Sequence, residues 1–364
     1  MWITQLAIND LRVIEQMKLI PGRGLNLIVG DNGAGKTSVL EAIYLAGRGR
    51  TFRHPEAGPM IRGGAASTMV VIELEHGDGE KRSILGVKRE RRDFVCRLNG
   101  LDIKKRSVLA ETLPVQWIGS QPQQLLAMGP DVRRRFLDMG MFHVEHCYLG
   151  VMAEFQRALK QRNAAIRQGM QDAVRLWVKP LATAASSLSR IRETFAANLL
   201  TRTAEIIRQW DVGFDVDYRY RRGWSGGEDS LREQLERKTE LDLRMGFTTI
   251  GPQRAELEVL SHGALAEKKL SRGQQKILVV ALNLALMDLV IAKTGNAPVL
   301  LLDDLGAELD RHNRQRILSE IHRRECQAFV TLIDSNLLEP PADEAATMFH
   351  VKHGALFSPA APSE

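Results

Sequence analysis

Cysteine is scarce in this sequence: Cys96, Cys147 and Cys326 are the three present, far apart and without paired spacing. A disulfide framework and a cysteine-ligated zinc site are thereby excluded, and the thiols fit a reducing compartment. An uninterrupted run of about 18 apolar residues is also missing, so no membrane-spanning helix is expected. Met1-Trp2-Ile3-Thr4-Gln5 has no basic segment leading into an apolar one, and no signal peptide is read there. The expected location is the cytoplasm. No repeat or low-complexity tract occurs, and the closing Ser358-Pro359-Ala360-Ala361-Pro362-Ser363-Glu364 is expected to be disordered.

What the chain does have is apolar residue, 44% of 364, enough for a sizeable core in one large domain or two ordinary ones. Its net charge of +6 weakly favours an anionic partner. The distribution of the cations says more. Lys88, Arg89, Arg91 and Arg92 form one cluster, followed closely by Lys104, Lys105 and Arg106. Arg133-Arg134-Arg135 form another, and Arg219, Arg221 and Arg222 a further one. One such cluster alone reads as a solvated face. Several in one chain fit contact with a nucleic-acid backbone.

Along the chain, Leu25-Asn26-Leu27-Ile28-Val29 is a short apolar run ending at Gly30, the pattern of a buried strand. Val39, Leu40, Ile43 and Leu45 then recur at helical spacing. A β-rich stretch follows, with strands over 68–74, 83–87 and 94–98, the last closed by Asn99-Gly100. From 141 to about 210 the texture is helical. Leu181, Ala184, Leu188, Ile191 and Phe195 make a coiled-coil-like seam, and Pro180 marks a reversal between two arms of about 30 residues, roughly 45 Å each. A projecting arm and a helical pair packed within a globule both fit that seam. Alternation at Phe214, Val216, Tyr218 and Tyr220 predicts a strand, and a charged helix follows over about 230–243. The last third returns to α/β texture, with a helix over 274–291, the strand Val299-Leu300-Leu301-Leu302, a helix over 311–324 and a strand over 328–333. The division is residues 1–140, the N-terminal part of an α/β head; 141–245, a helical arm domain; and 246–364, the C-terminal part of the head.

The strongest chemical signal is Gly30-Asp31-Asn32-Gly33-Ala34-Gly35-Lys36-Thr37, followed by Ser38. It satisfies G-x-x-x-x-G-K-[ST] between a strand and a helix, where backbone N–H groups and the helix N-terminus cradle nucleotide phosphates. Lys36 is the point charge for the β- and γ-phosphates, and Thr37 offers a hydroxyl to Mg²⁺. Asp303 closes an apolar strand, which puts its carboxylate at the sheet edge beside that loop, in position to support the metal. Asp304 next to it is placed to orient or deprotonate a water. A plain helix N-cap is the alternative for this pair. Leu270-Ser271-Arg272-Gly273-Gln274-Gln275-Lys276 opens a helix, and Ser271 and Gly273 there make either an N-cap or a second anion cradle. One nucleotide needs one cradle, so a second suggests service to the nucleotide of another copy.

These motifs, in this order and with Glu308-Leu309-Asp310 behind them, resemble those of ABC-type ATPases. The narrower resemblance is to the RecF family of DNA repair proteins, relatives of the SMC and Rad50 heads. Asp304 stands where most ABC proteins carry Glu, Gly251-Pro252-Gln253-Arg254 is similar to the family's G-P-[HQ]-R segment, and Arg134-Arg135-Phe136-Leu137-Asp138 to its R-R-x-F-L-D segment. The resemblance implies an α/β ABC-type P-loop head with a β-rich lobe plus a helical arm, ATP and Mg²⁺ as cofactors, and slow, DNA-stimulated ATP hydrolysis. It places Gly30 to Ser38 on the nucleotide and Ser271, Gly273 and Gln274 on the nucleotide of the partner copy in an ATP-dependent homodimer. Glu308-Leu309-Asp310 falls at that interface. Gln121 aligns with the Q-loop, catalytic and metal-coordinating, with Gln123 and Gln124 as competitors. Arg48, Arg50 and Arg53 resemble residues near the nucleotide, and Thr331 is the choice for the switch. The implied partners are DNA, duplex with gaps or junctions, and mediators of the RecR and RecO type. The implied setting is replication, recombination, repair and the SOS response to DNA damage.

Three rivals remain at the level of sequence. The heptad-like insertion and the basic clusters speak against a transporter ATPase subunit. A small-molecule P-loop kinase leaves the Ser271 segment unexplained. SMC and Rad50 arms run to hundreds of residues, far beyond those here. The loop assignment yields a direct test. Lys36→Ala is expected to abolish or greatly weaken ATP binding in a nucleotide titration, because the phosphates lose their point charge. Unchanged affinity would remove the assignment.

Overall fold

Alternation of buried and exposed side chains gives the first third of the chain its strands, and unbroken apolar runs give those of the last third. The computed structural model describes residues 1–53, 59–77, 81–227, 230–304, 309–334 and 346–357. The N-terminal elements are β1 (Trp2–Leu11), β2 (Ile14–Leu19), β3 (Leu25–Val29), α1 (Lys36–Arg48), β4 (Ser67–His76), β5 (Lys81–Glu90), β6 (Phe94–Leu98), β7 (Leu101–Asp102), α2 (Arg106–Thr112) and β8 (Val115–Ile118). The middle holds α3 (Gln124–Ala127), α4 (Pro130–Val144), α5 (Tyr148–Arg167), α6 (Gln171–Leu176), α7 (Val178–Trp210), β9 (Asp217–Arg221), α8 (Ser230–Arg237), α9 (Thr239–Met245), β10 (Glu256–Ser261), β11 (Ala264–Leu265), α10 (Ala266–Lys269) and α11 (Arg272–Thr294). The chain closes with β12 (Val299–Leu302), α12 (Arg311–Arg323), β13 (Ala328–Leu332), β14 (Thr347–Lys352) and β15 (Ala355–Phe357).

Two compact units result, Met1–Pro122 with Gly295–Glu364, and Gln123–Thr294. In the first, an antiparallel sheet runs β2-β1-β4-β5-β6-β7 and a second sheet runs β15-β14-β3-β13-β12-β8. The second is parallel from β14 to β8, with β15 antiparallel at its edge. All residues of β3, β12 and β13 are buried, as expected for a parallel sheet covered on its faces. Helix α1 touches strands of both sheets, and apart from Thr37 its residues Lys36 to Gly47 are buried. A helix apolar on nearly every side can satisfy that pattern only between two layers.

In the second unit, α7 is the axis. Its buried residues run from Val178 to Trp210, and it packs on α5, α4 and α11. The helical segment is therefore packed within its unit along its whole length. The chain reverses over 168–177, before Pro180. Pro180 occupies the first turn of α7, where the missing N–H would have had no partner in the helix and the fixed φ is already helical. The sequence division at 140 and 245 follows a change in texture. The compact units instead divide after Pro122 and after Thr294, because α4 and α11 pack on α7.

Helix α11 also bears on the membrane expectation. By length and composition it could cross a bilayer, a helix of a kind that the apolar runs of the sequence do not predict. Here 67% of its apolar window is buried inside the protein, and Asp288 holds the Arg202 side chain at 2.7 Å. It is a core helix of this unit. A fully buried pair, Arg162 with Asp242 at 2.7 Å, ties α5 to α9, with Thr248 accepting a second bond from Arg162 at 2.8 Å.

Gly140 marks the tightest helix contact. A Cβ added there would lie 2.4 Å from both Phe195 of α7 and Leu286 of α11. Alanine would favour the α4 backbone by about 1 kcal/mol, but the inserted methyl overpacks the three-helix junction by about 1–3 kcal/mol. The second effect is the larger. Gly140→Ala is expected to lower the denaturant midpoint, and an unchanged or higher midpoint would show that Phe195 and Leu286 yield freely.

Candidate functional site

The loop after β3 is shaped by close approach. Gly30 donates its N–H to the Leu332 carbonyl at 3.2 Å, and an added Cβ would sit 2.1 Å from the Val351 carbonyl oxygen. No side chain fits there. Gly35 has φ of +112°, where a Cβ is strained, and it leads into α1 with no side-chain cap and no acid in the first turn. The orphan N–H groups of that turn therefore point to a ligand with negative charge. Lys36 donates to the Gly30 carbonyl at 2.6 Å and the Asp31 carbonyl at 2.9 Å. Burial pulls its pKa below the usual lysine value, and Asp304, Asp303 and Asp31 oppose that shift.

Asp303 follows β12 directly and accepts from two threonines on one oxygen. The Thr37 hydroxyl donates at 2.9 Å and the Thr331 hydroxyl at 2.8 Å. The Asp304 N–H in turn donates to the Thr331 oxygen at 2.8 Å, and Asp304 adopts the left-handed region with φ of +54°. A cavity of about 580 Å³ opens over these groups, lined among others by Asn32, Lys36, Thr37, Ser38, Asp303, Asp304 and Thr331. Its chemistry fits a nucleoside triphosphate with Mg²⁺: N–H donors and an ammonium for phosphate, a hydroxyl and a carboxylate as hard oxygen donors for the ion. Among the described residues no cluster of three or more His, Cys, Asp or Glu forms. An ion there would draw its remaining ligands from phosphate and water, as Mg²⁺ commonly does.

The remaining residues chosen from sequence divide. Ala34 donates to the Asp31 carbonyl and accepts from Gly354, so these two hold the loop's own shape. Arg53 lines the cavity, while Arg48 lies half-buried beside Tyr44 and Arg50 is exposed. Ser120 lines the cavity and Gln121 follows it, exposed; Gln123 and Gln124 belong to the second unit. Ser271, Gly273 and Gln274 also lie in the second unit. Ser271 accepts from the Gln274 N–H at 3.3 Å and the Gln274 side chain accepts from the Ser271 N–H at 3.0 Å, a reciprocal cap on α11. Asp310 caps α12 by accepting from the Asn313 N–H at 2.8 Å. Glu308 and the Ser358–Glu364 tail lie outside the described residues.

One cluster at the cavity wall enters the sequence reading only through Arg53. Glu41 of α1 is fully buried and accepts from Arg12 at 3.0 and 2.8 Å and from Thr51 at 2.5 Å, with Arg53 at 3.3 Å. Arg12, in the β1–β2 turn with φ of +56°, lines the cavity together with Arg53. The one signal available was an acid inside the apolar run Val39–Leu45, which demands a buried cation.

A phosphate loop between β3 and α1, a carboxylate at the end of β12 in the same parallel sheet, a separate β-rich sheet and a helical unit whose last helix is capped by Ser271 define the head of an ABC-type ATPase. Residues 2–356 match the family described as RecF/RecN/SMC N terminal domain. The DNA replication and repair protein RecF of Pseudomonas aeruginosa strain LESB58 is 37% identical over 359 residues, covering 97% of each chain. That of Escherichia coli O1:K1 / APEC is 36% identical over 359 residues, covering 98% of this chain and 99% of its own. The chain belongs to the RecF family of DNA replication and repair proteins. In fold it is similar to a solved recombination mediator protein RecF with ATP, with a TM-score of 0.85 at 22% identity over 99% of this chain and 98% of that one. It is also similar to an Smc head domain from Pyrococcus furiosus, with a TM-score of 0.58 at 16% identity over 98% and 95%.

The Glu41 cluster can be tested directly. Glu41→Gln keeps the side-chain shape and withdraws the charge from Arg12, whose side chain is 7% exposed. The expected loss is about 3–5 kcal/mol, the cost of leaving one member of a buried pair uncompensated. A loss below about 1 kcal/mol, typical of an exposed pair, would show that charge does not hold the cluster.

Proposed function

We propose that this chain binds ATP with Mg²⁺ in the cavity over Lys36, Thr37 and Asp303, hydrolyses it slowly, and closes as an ATP-dependent homodimer on duplex DNA at gaps or junctions. The observation that carries the reading is the Asp303 carboxylate bonded to Thr37 of the phosphate loop at 2.9 Å. Lys36 serves the β- and γ-phosphates once its hold on the Gly30 and Asp31 carbonyls is exchanged for them. Mg²⁺ supplies charge neutralisation at the phosphates. Thr37 and Asp303 orient it, and Asp304 positions the attacking water, held by its own bond to Thr331. Gln121, next to the cavity-lining Ser120, takes the Q-loop role.

Ser271, Gly273 and Gln274 act on the nucleotide of the second copy. The reciprocal cap supports this use, because Ser271 accepts from Gln274 and so keeps its hydroxyl hydrogen to donate. The solved RecF with ATP is described as a recombination mediator in the RecFOR pathway. By that likeness the chain works in the cytoplasm with RecO and RecR type mediators to load the recombinase.

Two substitutions test the reading. Asp303→Asn is expected to keep partial ATP binding and lose Mg²⁺-dependent turnover, and normal turnover would show that another residue orients the metal. Ser271→Arg is expected to leave ATP binding by the single chain near normal while sedimentation shows no ATP-driven dimer. Mixed with Lys36→Ala, it should recover partial dimerisation through one intact composite site. As a cap alone, Ser271 would cost about 1 kcal/mol of stability and dimerisation would survive.

A further inference from the structure

Two cations of the first unit meet at Phe94. Arg89, its cross-strand neighbour, holds its guanidinium 6.0 Å from the ring centroid, and Arg106 at the start of α2 holds its own at 5.0 Å. Gly49, at the end of α1, lies against the same ring, with an added Cβ 3.2 Å from it. Arg91 and Arg92 turn the chain between β5 and β6, and Lys104 and Lys105 precede Arg106; all four are exposed. None of these six cations has a carboxylate within salt-bridge distance among the described residues. Of the acids in the turn, Glu90 is taken by Lys88 at 2.7 Å, which leaves Asp93. Some exposed cations elsewhere on this unit carry carboxylate partners, as Arg97 does with Asp102 and Arg62 with Glu15; others, such as Lys18 and Lys81, do not among the described residues, but they stand apart and do not form a group of six.

Such a concentration of like charge repels itself unless an anion lies over it. The aromatic at its centre already has two guanidiniums near it and Gly49 against its edge, so a stacking base would have to displace them. Single-strand binders need a free aromatic face. What is left is charge alone, which reads phosphates without reading sequence. Duplex DNA, with one charge per about 1.7 Å of axis against about 3.4 Å for one strand, presents phosphates more densely than a single strand does. We propose that the surface around Phe94, formed by Arg89, Arg91, Arg92, Lys104, Lys105 and Arg106, is a contact for the sugar–phosphate backbone of duplex DNA. This rests on the DNA-binding reading above and adds the surface to it.

The test is a fourfold variant, Arg91→Ala, Arg92→Ala, Lys104→Ala and Lys105→Ala, in the full chain with ATP and Mg²⁺. The probes are a duplex and a single strand of the same sequence, over about 50–200 mM salt. Each phosphate that the protein no longer neutralises takes about 0.9 from the slope of log affinity against log salt. The slope should fall by about 2–4, with duplex affinity down about tenfold or more at the middle of that range. ATP affinity and melting temperature should stay as in the parent chain. A Lys-for-Arg version, Arg91→Lys with Arg92→Lys, should hold DNA as the parent does, because charge and not shape is being read. If the parent holds duplex and the fourfold variant holds it equally with the same slope, the surface is wrong while DNA binding stands. If the variant loses single strand as much as duplex, the commitment to duplex is overturned. If the parent holds no DNA with ATP, both this surface and the reading beneath it fall.

Discussion

One carboxylate oxygen, Oδ1 of Asp303, takes hydrogen bonds from Thr37 and Thr331 at 2.9 and 2.8 Å. Those three residues sit on the phosphate loop's helix and at the ends of two strands, segments far apart in sequence. Everything else in the nucleotide cavity is arranged about that junction. The carboxylate is held there because β12 is fully buried and parallel to β13, so the strand has no freedom to shift register without exposing its apolar face. Asp304 then leaves the strand in a left-handed conformation, which turns its side chain away from the path of β12 and gives its N–H to Thr331. A strained backbone at this point is a small local cost carried by the surrounding sheet.

Around the junction the charges are balanced in layers. Lys36 is desolvated, and three aspartates counter the effect on its proton. Elsewhere in the cavity lining, Arg12 and Arg53 both reach the buried Glu41.

Much of this could be read from residues alone, for physical reasons that differ by element. The boundaries of β12 were legible because a run of four apolar residues closed by two aspartates admits one placement. The phosphate loop was legible because its glycines and lysine are required by backbone approach and charge. The turn between α5 and α7 was not, because a proline at a helix start and one at a reversal look alike in sequence. Helix α11 carries the apolar content of a membrane span, and only its packing inside the second unit shows what covers it. The Arg12–Glu41 pairing joins residues 29 apart through the fold, and no periodicity announces it. Thr331 is only weakly marked by its position at a strand end, and its bond to Asp303 is invisible until β12 and β13 are side by side.

The seating of the phosphate loop has a consequence for how the protein is made. Gly30 rests on the Val351 carbonyl, and Ala34 receives the N–H of Gly354 at 2.8 Å. The strand that seats the loop from the other side, β13, pairs with β3 across some three hundred residues, as does the Ile3–Gln327 bond with a separation of 324. A nascent chain emerging from the ribosome therefore exposes β3 and α1 until some three hundred further residues have been made. Their apolar faces stay uncovered until β13 and β14 arrive, and loop closure over that length is slow. The loop reaches its working shape only after β13 and β14 have been made, so a chain released before them carries the phosphate-loop sequence without the cradle.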